Sequence, residues 1–215
     1  MKNRIYVVLT STSSKFGRVI RLLTGDEYNH LSISLHKDLS DMCTFARRKY
    51  TTPLNAGFMY EKLEYYTLNK YTDIGVRIYE IPVTKRQYNK VARLINNISN
   101  DDEYMYNLFS AITFPFLGGF HMYKTFTCVE FVAYLLYESD IIRDKKPCKY
   151  TPNEFGNLLN EYLYYDGNLL DILNNSNDAS DFFKKERIEK LITMNTIVLY
   201  KLSRRLGSKI LSIYS

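Results

Sequence analysis

The chain has 215 residues, 46% hydrophobic and 15% aromatic, enough to bury one full core and too few for two comfortable ones. Its net charge is +6, but acidic and basic residues interleave. The short runs Arg47-Arg48-Lys49 and Arg204-Arg205 lack the setting of an RNA-recognition strand or a recognition helix, so no specific nucleic-acid partner is expected. Cys43, Cys128 and Cys148 form no CxxC pair, which argues against a disulfide framework and a four-thiolate zinc site, and neither a metal nor a cofactor is expected.

Residues 5 to 10 are apolar and β-branched and read as a first buried strand; the apolar stretch is too short for a signal peptide. A helix is expected over 15–23, closed by Thr24-Gly25-Asp26. His30 to His36 alternates, with Leu31, Ile33 and Leu35 on one face and His30, Ser32, Ser34 and His36 on the other. The polar turn at 37–41 returns Met42 to Arg47 as an antiparallel partner, Phe58 to Leu63 forms a third strand of that sheet, and Gly75 to Val83 a fourth. Beyond Thr84 the period lengthens, and Tyr88, Val91, Leu94, Ile95 and Ile98 mark an amphipathic helix.

A short helix is expected over 101–112, followed by an aromatic, glycine-bearing loop, Phe114 to Phe120, able to line a pocket. Thr127 caps a helix that runs from Cys128 to near Ser139, and Thr151-Pro152-Asn153-Glu154 starts another that ends near Asn160. Residues 162–173 fit a strand or a short helix equally well. An Asn/Ser/Asp-rich linker over 174–180, a helix over 182–192, a strand over 196–202 and a loose tail from Arg204 complete the chain. The expected fold class is α+β, an antiparallel sheet or barrel packed against helices. One domain is placed at 1–173, with an extension at 174–215 packing on it. No run approaches the roughly 20 apolar residues of a membrane span, and reduced thiols suit a cytoplasmic protein.

Cys128 carries the chemistry. A helix N-terminus bears about half a positive charge, which favours thiolate over thiol. A thiolate nucleophile needs a base, and His30, at the start of a half-buried strand, is the histidine placed to serve. His36 reads as a surface residue and His121 as a loop residue. Cys43 and Cys148 read as packed or incidental thiols, and Asp101-Asp102-Glu103 as a helix N-terminal charge cluster.

His30-Leu31-Ser32-Ile33-Ser34-Leu35 resembles the histidine strand of the NlpC/P60 superfamily of papain-like cysteine peptidases and amidases, and Phe126-Thr127-Cys128-Val129-Glu130-Phe131-Val132-Ala133 resembles its cysteine helix. Histidine precedes cysteine here, the reverse of the usual order. The chain in this respect resembles the circularly permuted, YaeF/YiiX-like branch, a relative of the lecithin:retinol acyltransferase group. The resemblance spans about residues 4 to 173, including Thr24-Gly25 and Ala56-Gly57-Phe58 followed by Glu61. It implies Cys128 as nucleophile, His30 as base, and attack on an amide or ester carbonyl through a thioester.

A third polar residue should orient the histidine, and the position that aligns best falls on or beside Phe45. Hairpin pairing would instead put Thr44 or Arg48 on the face of His30. Glu61 ranks first, because a carboxylate best orients and stabilises an imidazolium. The expected activity is that of a cysteine hydrolase or acyltransferase acting on a small-molecule, peptide or lipid substrate. The alternatives are an inactive module that binds an apolar or acyl ligand, and a nucleic-acid-associated protein suggested only by the net charge.

Overall fold

Strand β1 (Asn3–Thr10) shows why the molecule is layered: Ile5, Val7 and Leu9 point into one hydrophobic cluster, Tyr6 and Val8 into another, and all five are buried. Side chains alternate across a strand, so one that is apolar on both faces must lie inside a sheet covered on both sides. In the computed structural model, which describes residues 3–12, 27–52, 54–68, 73–172 and 180–214, β1 is such a strand. It pairs with β2 (His30–Ser34) on one side and β5 (Gly75–Val83) on the other. The six-stranded sheet adds β3 (Cys43–Arg47), β4 (Ala56–Tyr60) and β8 (Leu163–Asn168) in the order β4-β3-β2-β1-β5-β8, with every neighbour antiparallel. The fold is thus mixed α+β.

The helix that starts at Cys128, here α4, covers the face that carries Ile5, Val7 and Leu9. To give the helices in order, they are α1 (Leu63–Thr67), α2 (Lys85–Ser99), α3 (Leu108–Leu117), α4 (Cys128–Glu138), α5 (Pro152–Leu158), α6 (Ser180–Phe183) and α7 (Ile188–Tyr214). Helix α4 is buried from Cys128 through Ala133 and again at Leu135 and Leu136, the pattern of a helix enclosed on nearly all sides. A small parallel ladder joins β6 (Met105–Tyr106) to β7 (Thr125–Phe126), with Tyr106 opposite Phe126. That pairing sets Tyr106 beside the start of α4.

Several expectations are met and several corrected. The strand at 75–83, the helix after Thr84 and the helix begun by Thr127 stand where the sequence places them. Strand β4 ends at Tyr60, so Leu63 starts a helix instead of closing a strand. The helix expected over 101–112 begins only at Leu108, where the Asn107 side chain accepts the Ser110 N–H at 3.2 Å. It runs through Phe114, Pro115 and Phe116 to Leu117, so half of the expected aromatic loop is helical. Gly118 stops it in the left-handed conformation. Gly119 follows at φ 75°, and a Cβ there would meet the Cys148 carbonyl oxygen at 1.9 Å. Residues 163–168 of the ambiguous segment form β8, followed by one 3-10 turn.

The strand expected over 196–202 and the loose tail after it are overturned, since both lie inside α7. Thr196, Ile197 and Val198 favour strands locally, but Leu191, Val198, Leu202 and Leu206 recur at seven- and four-residue steps, and packing along that stripe overrides propensity. The Thr193 and Thr196 hydroxyls donate to the carbonyls of Glu189 and Ile192, one turn back. Leu202 is buried against Met105 and Met122, and the Arg205 guanidinium donates to the carbonyls of Lys124 and Glu103 at 2.9 and 2.8 Å. The helix expected over 15–23 and residues 174–179 of the linker expected over 174–180 lie outside the described residues, and Ser180 begins α6.

Candidate active site

Thr127 fixes the position of Cys128. Its hydroxyl accepts the Glu130 N–H at 3.1 Å and the Glu130 carboxylate accepts the Thr127 N–H, a capping box that fixes where α4 begins. Cys128 is therefore the first helical residue, and the Val129 main-chain N–H, one of the donors a helix start leaves over, points at its sulfur together with the Leu31 N–H. Helix α4 packs against β2, which brings the thiol to the ring of His30.

The His30 Nε2 lies 2.8 Å from Glu61 Oε1. With Nε2 committed, Nδ1 is the nitrogen left for the thiol. Glu61 is itself held: its main-chain N–H donates to the Met42 carbonyl, and the Tyr66 hydroxyl donates to its Oε2 at 2.6 Å, as does the Ser32 hydroxyl. Three residues from β2 and α1, namely His30, Ser32 and Tyr66, thus hold one carboxylate. Of the three polar candidates for this place, only Glu61 reaches the ring. Thr44 Oγ1 donates to the Leu31 carbonyl, and Arg48 Nε to that of Phe58. Phe45 is wholly buried among Phe58, Tyr104, Phe126 and Phe131, an aromatic centre that ties β3 to α4.

Burial alone would push His30 down, but the charge of Glu61, with hydrogen bonds to Cys128 and Glu61, outweighs it and lifts the imidazole to about 10. Burial likewise pushes the Cys128 thiol up, and the hydrogen bond and charge of His30, with the two main-chain N–H groups, pull it below its ordinary value. Both shifts run toward the thiolate–imidazolium form of the pair. Cys43 and Cys148 differ: burial pushes both thiols up, and among the described residues no histidine faces either.

Tyr106 is a residue that sequence reasoning missed. Its hydroxyl is hydrogen-bonded to Cys128, and burial followed by the charge of Cys128 pushes it well above the usual phenol range, which keeps it a proton donor. One signal was present, the short Met105-Tyr106 strand ahead of a capped helix, but nothing in the sequence says that it pairs with Thr125-Phe126. The other histidines stand elsewhere. His36 meets Asp41 at the surface and His121 Nδ1 meets Glu130 Oε1 at 2.7 Å. Asp101 and Glu103 pair with Lys124, and no metal-holding group of histidine, cysteine and carboxylate side chains occurs among the described residues.

His30, Glu61 and Cys128 line a cavity of about 360 Å³, walled chiefly by apolar side chains such as Phe45, Leu54, Met59, Ile112 and Leu202. A second recess of about 50 Å³ lies on the other side of the same thiol, between Thr127, Tyr150 and Thr151. Asn29, Tyr106 and Cys128 border both. Asn29 is held in place by Thr12, whose main-chain N–H donates to Oδ1 at 2.8 Å and whose carbonyl accepts from Nδ2 at 3.1 Å. Among family models, curated proteins and solved structures, none matches this chain.

Proposed function

We propose that the protein is a permuted papain-like cysteine hydrolase or acyltransferase that takes an apolar acyl group through a thioester on Cys128. The observation that supports this most is a thiol drawn below its ordinary pKa by a histidine that a buried, triply held carboxylate orients, at the wall of an apolar cavity. The order of His30, Glu61 and Cys128 along the chain accords with the permuted reading.

In the proposed reaction the Cys128 thiolate attacks the carbonyl carbon, and the π electrons move to oxygen. The main-chain N–H groups at the start of α4 and the Tyr106 hydroxyl are the donors nearest that oxygen. The His30 imidazolium gives its proton to the leaving oxygen or nitrogen, the carbon–heteroatom bond breaks, and a thioester remains. His30, now neutral, then takes a proton from water or from an acceptor alcohol or amine, whose attack frees the thiolate. The large cavity suits the acyl chain and the small recess the leaving or accepting group.

Tyr106→Phe is expected to lower kcat by about tenfold to a hundredfold with little change in KM, since a donor to the oxyanion acts in the transition state alone. A rise in KM at constant kcat would assign Tyr106 to binding instead.

Alkylation by iodoacetamide at neutral pH tests the whole reading. Cys128 is expected to react ahead of Cys43 and Cys148, His30→Ala to remove that preference, and decanamide, but not acetamide, to slow it by filling the cavity. Equal modification of the three thiols would end the activated-nucleophile reading and leave a module that binds an apolar ligand.

A further inference from the structure

The two helices that wall the apolar cavity continue outward as exposed apolar surface. On α3, Ile112 lines the cavity, and one turn on, along the same face, Phe116 is 84% exposed beside Leu117 at 60%. On α7, Leu202 lines the cavity, and Val198 and Leu206 pack on the same Met105–Met122–Leu202 cluster as Leu108 and Phe109 of α3. At 3.6 residues per turn, Ile188, Ile192, Leu199 and Ile210 of α7 project within an arc of about 40°, next to that packed stripe. All four are exposed. Tyr200 and Leu211 are exposed as well. A folded monomer seldom leaves so many large apolar side chains in water without a use for them.

Charge says what the use is. Helix α7 carries Lys190, Lys201, Arg204, Arg205 and Lys209 against a single acid, Glu189. The segment before it adds Lys184, Lys185 and Arg187, all exposed, and one acid, Glu186, which pairs with Lys49 and with Lys190. A helix with an exposed apolar stripe and a cationic remainder has the chemistry of one that lies in the plane of an anionic bilayer surface, apolar side chains among the acyl chains and lysines at the headgroups. A second copy of this chain would bring like charge to like, and a nucleic acid would leave the apolar stripe in water. Among the described residues no helix is long and apolar enough to cross a membrane, so contact with the surface is the geometry left to α7.

We infer that the α3–α7 face docks the protein on an anionic lipid surface, with the mouth of the cavity turned toward the bilayer so that an acyl substrate can pass from the lipid to Cys128. The role as a route for substrate rests on the reading of the site given above, whereas the docking itself does not.

Co-sedimentation of the full chain with vesicles tests it, using phosphatidylcholine alone and an equal mixture of phosphatidylcholine and phosphatidylserine. The mixed vesicles are expected to carry down the protein at low salt and the neutral ones to carry much less. The double variant Phe116→Ser, Leu117→Ser and, separately, Lys201→Glu with Arg204→Glu are each expected to weaken binding about tenfold, and the charge variant to lose most of its salt dependence. All four residues are exposed, so neither variant disturbs the core. Binding that ignores lipid charge, binding that neither variant alters, no binding at all, or a stable dimer in sedimentation velocity that these substitutions dissociate would each overturn the inference. Cys128→Ala is expected to bind vesicles as the unaltered chain does. Vesicle binding by a chain whose Cys128 shows no selective alkylation sinks the enzyme and leaves the docking face; selective alkylation without vesicle binding does the reverse.

Discussion

The Cys128→Ala variant is expected to cleave a para-nitrophenyl decanoyl ester at least about a thousandfold more slowly than the unaltered chain, close to the rate in buffer alone, because removal of a nucleophile abolishes the covalent route. The fold should survive the change. Cys128 is only 6% exposed, but the substitution removes one sulfur next to a cavity, and the cap that starts α4 belongs to Thr127 and Glu130. Thermal unfolding of the variant therefore separates the two explanations for lost activity: a Tm within a few degrees of the parent assigns the loss to chemistry. Full activity in the variant would place the reaction elsewhere. Burial pushes the remaining thiols, Cys43 and Cys148, up, so the variant should also resist alkylation near neutral pH.

How much of this could be read from the chain depends on how local each cause is. The cap at Thr127 and the helix after Thr84 are fixed by residues three positions apart, and both appear in the sequence as capping boxes. Strand β1 is legible because Ile5 through Leu9, buried on both faces, form an unbroken apolar run. Strand 196–202 failed for the opposite reason. Its β-branched residues are a local signal, while Met105, Met122 and Leu108, which make α7 worth forming, come from distant parts of the chain.

The site divides along the same line. Cys128 announces itself through its cap, and His30 through its alternating strand. Glu61 could be ranked by chemistry but not placed, because its position depends on how β4 ends at Tyr60 and hands the chain to α1. Counting pleats across the hairpin brought forward Thr44 and Arg48, yet the β2–β3 pairing is brief, with Ile33 opposite Cys43, and Thr44 is spent on the Leu31 carbonyl. The face opposite His30 is closed by Tyr66, whose hydroxyl reaches Glu61 from a helix the sequence did not suggest. Tyr106 arrives through a two-residue ladder too short to leave a pattern.

Glu61→Gln is expected to lower turnover by about a hundredfold to a thousandfold and to change its pH dependence in a defined direction. The glutamine keeps the shape of the side chain, and its oxygen can still accept from the Tyr66 and Ser32 hydroxyls. Its amide must then face His30 Nε2 and donate to it, which holds the neutral ring with its proton on Nδ1, toward the thiol, where a base cannot use it. The charge of Glu61 that helps lift His30 to about 10 is gone as well, and burial, the largest influence on that ring, then pulls it down. Without an imidazolium the thiol loses what pulls it down. In the parent, alkylation of Cys128 should set in at lower pH than for a free thiol, and in Glu61→Gln it should climb only in the alkaline range where free thiols ionise, near 8.5 or above. Stability follows the same linkage. The raised His30 pKa contributes stability that is fully present below about pH 6.5 and is lost as pH rises through about 10. The variant should therefore be less stable than the parent at neutral pH, with the difference narrowing toward pH 10. An unchanged alkylation profile would show that the charge of Glu61 does not set the protonation of the pair.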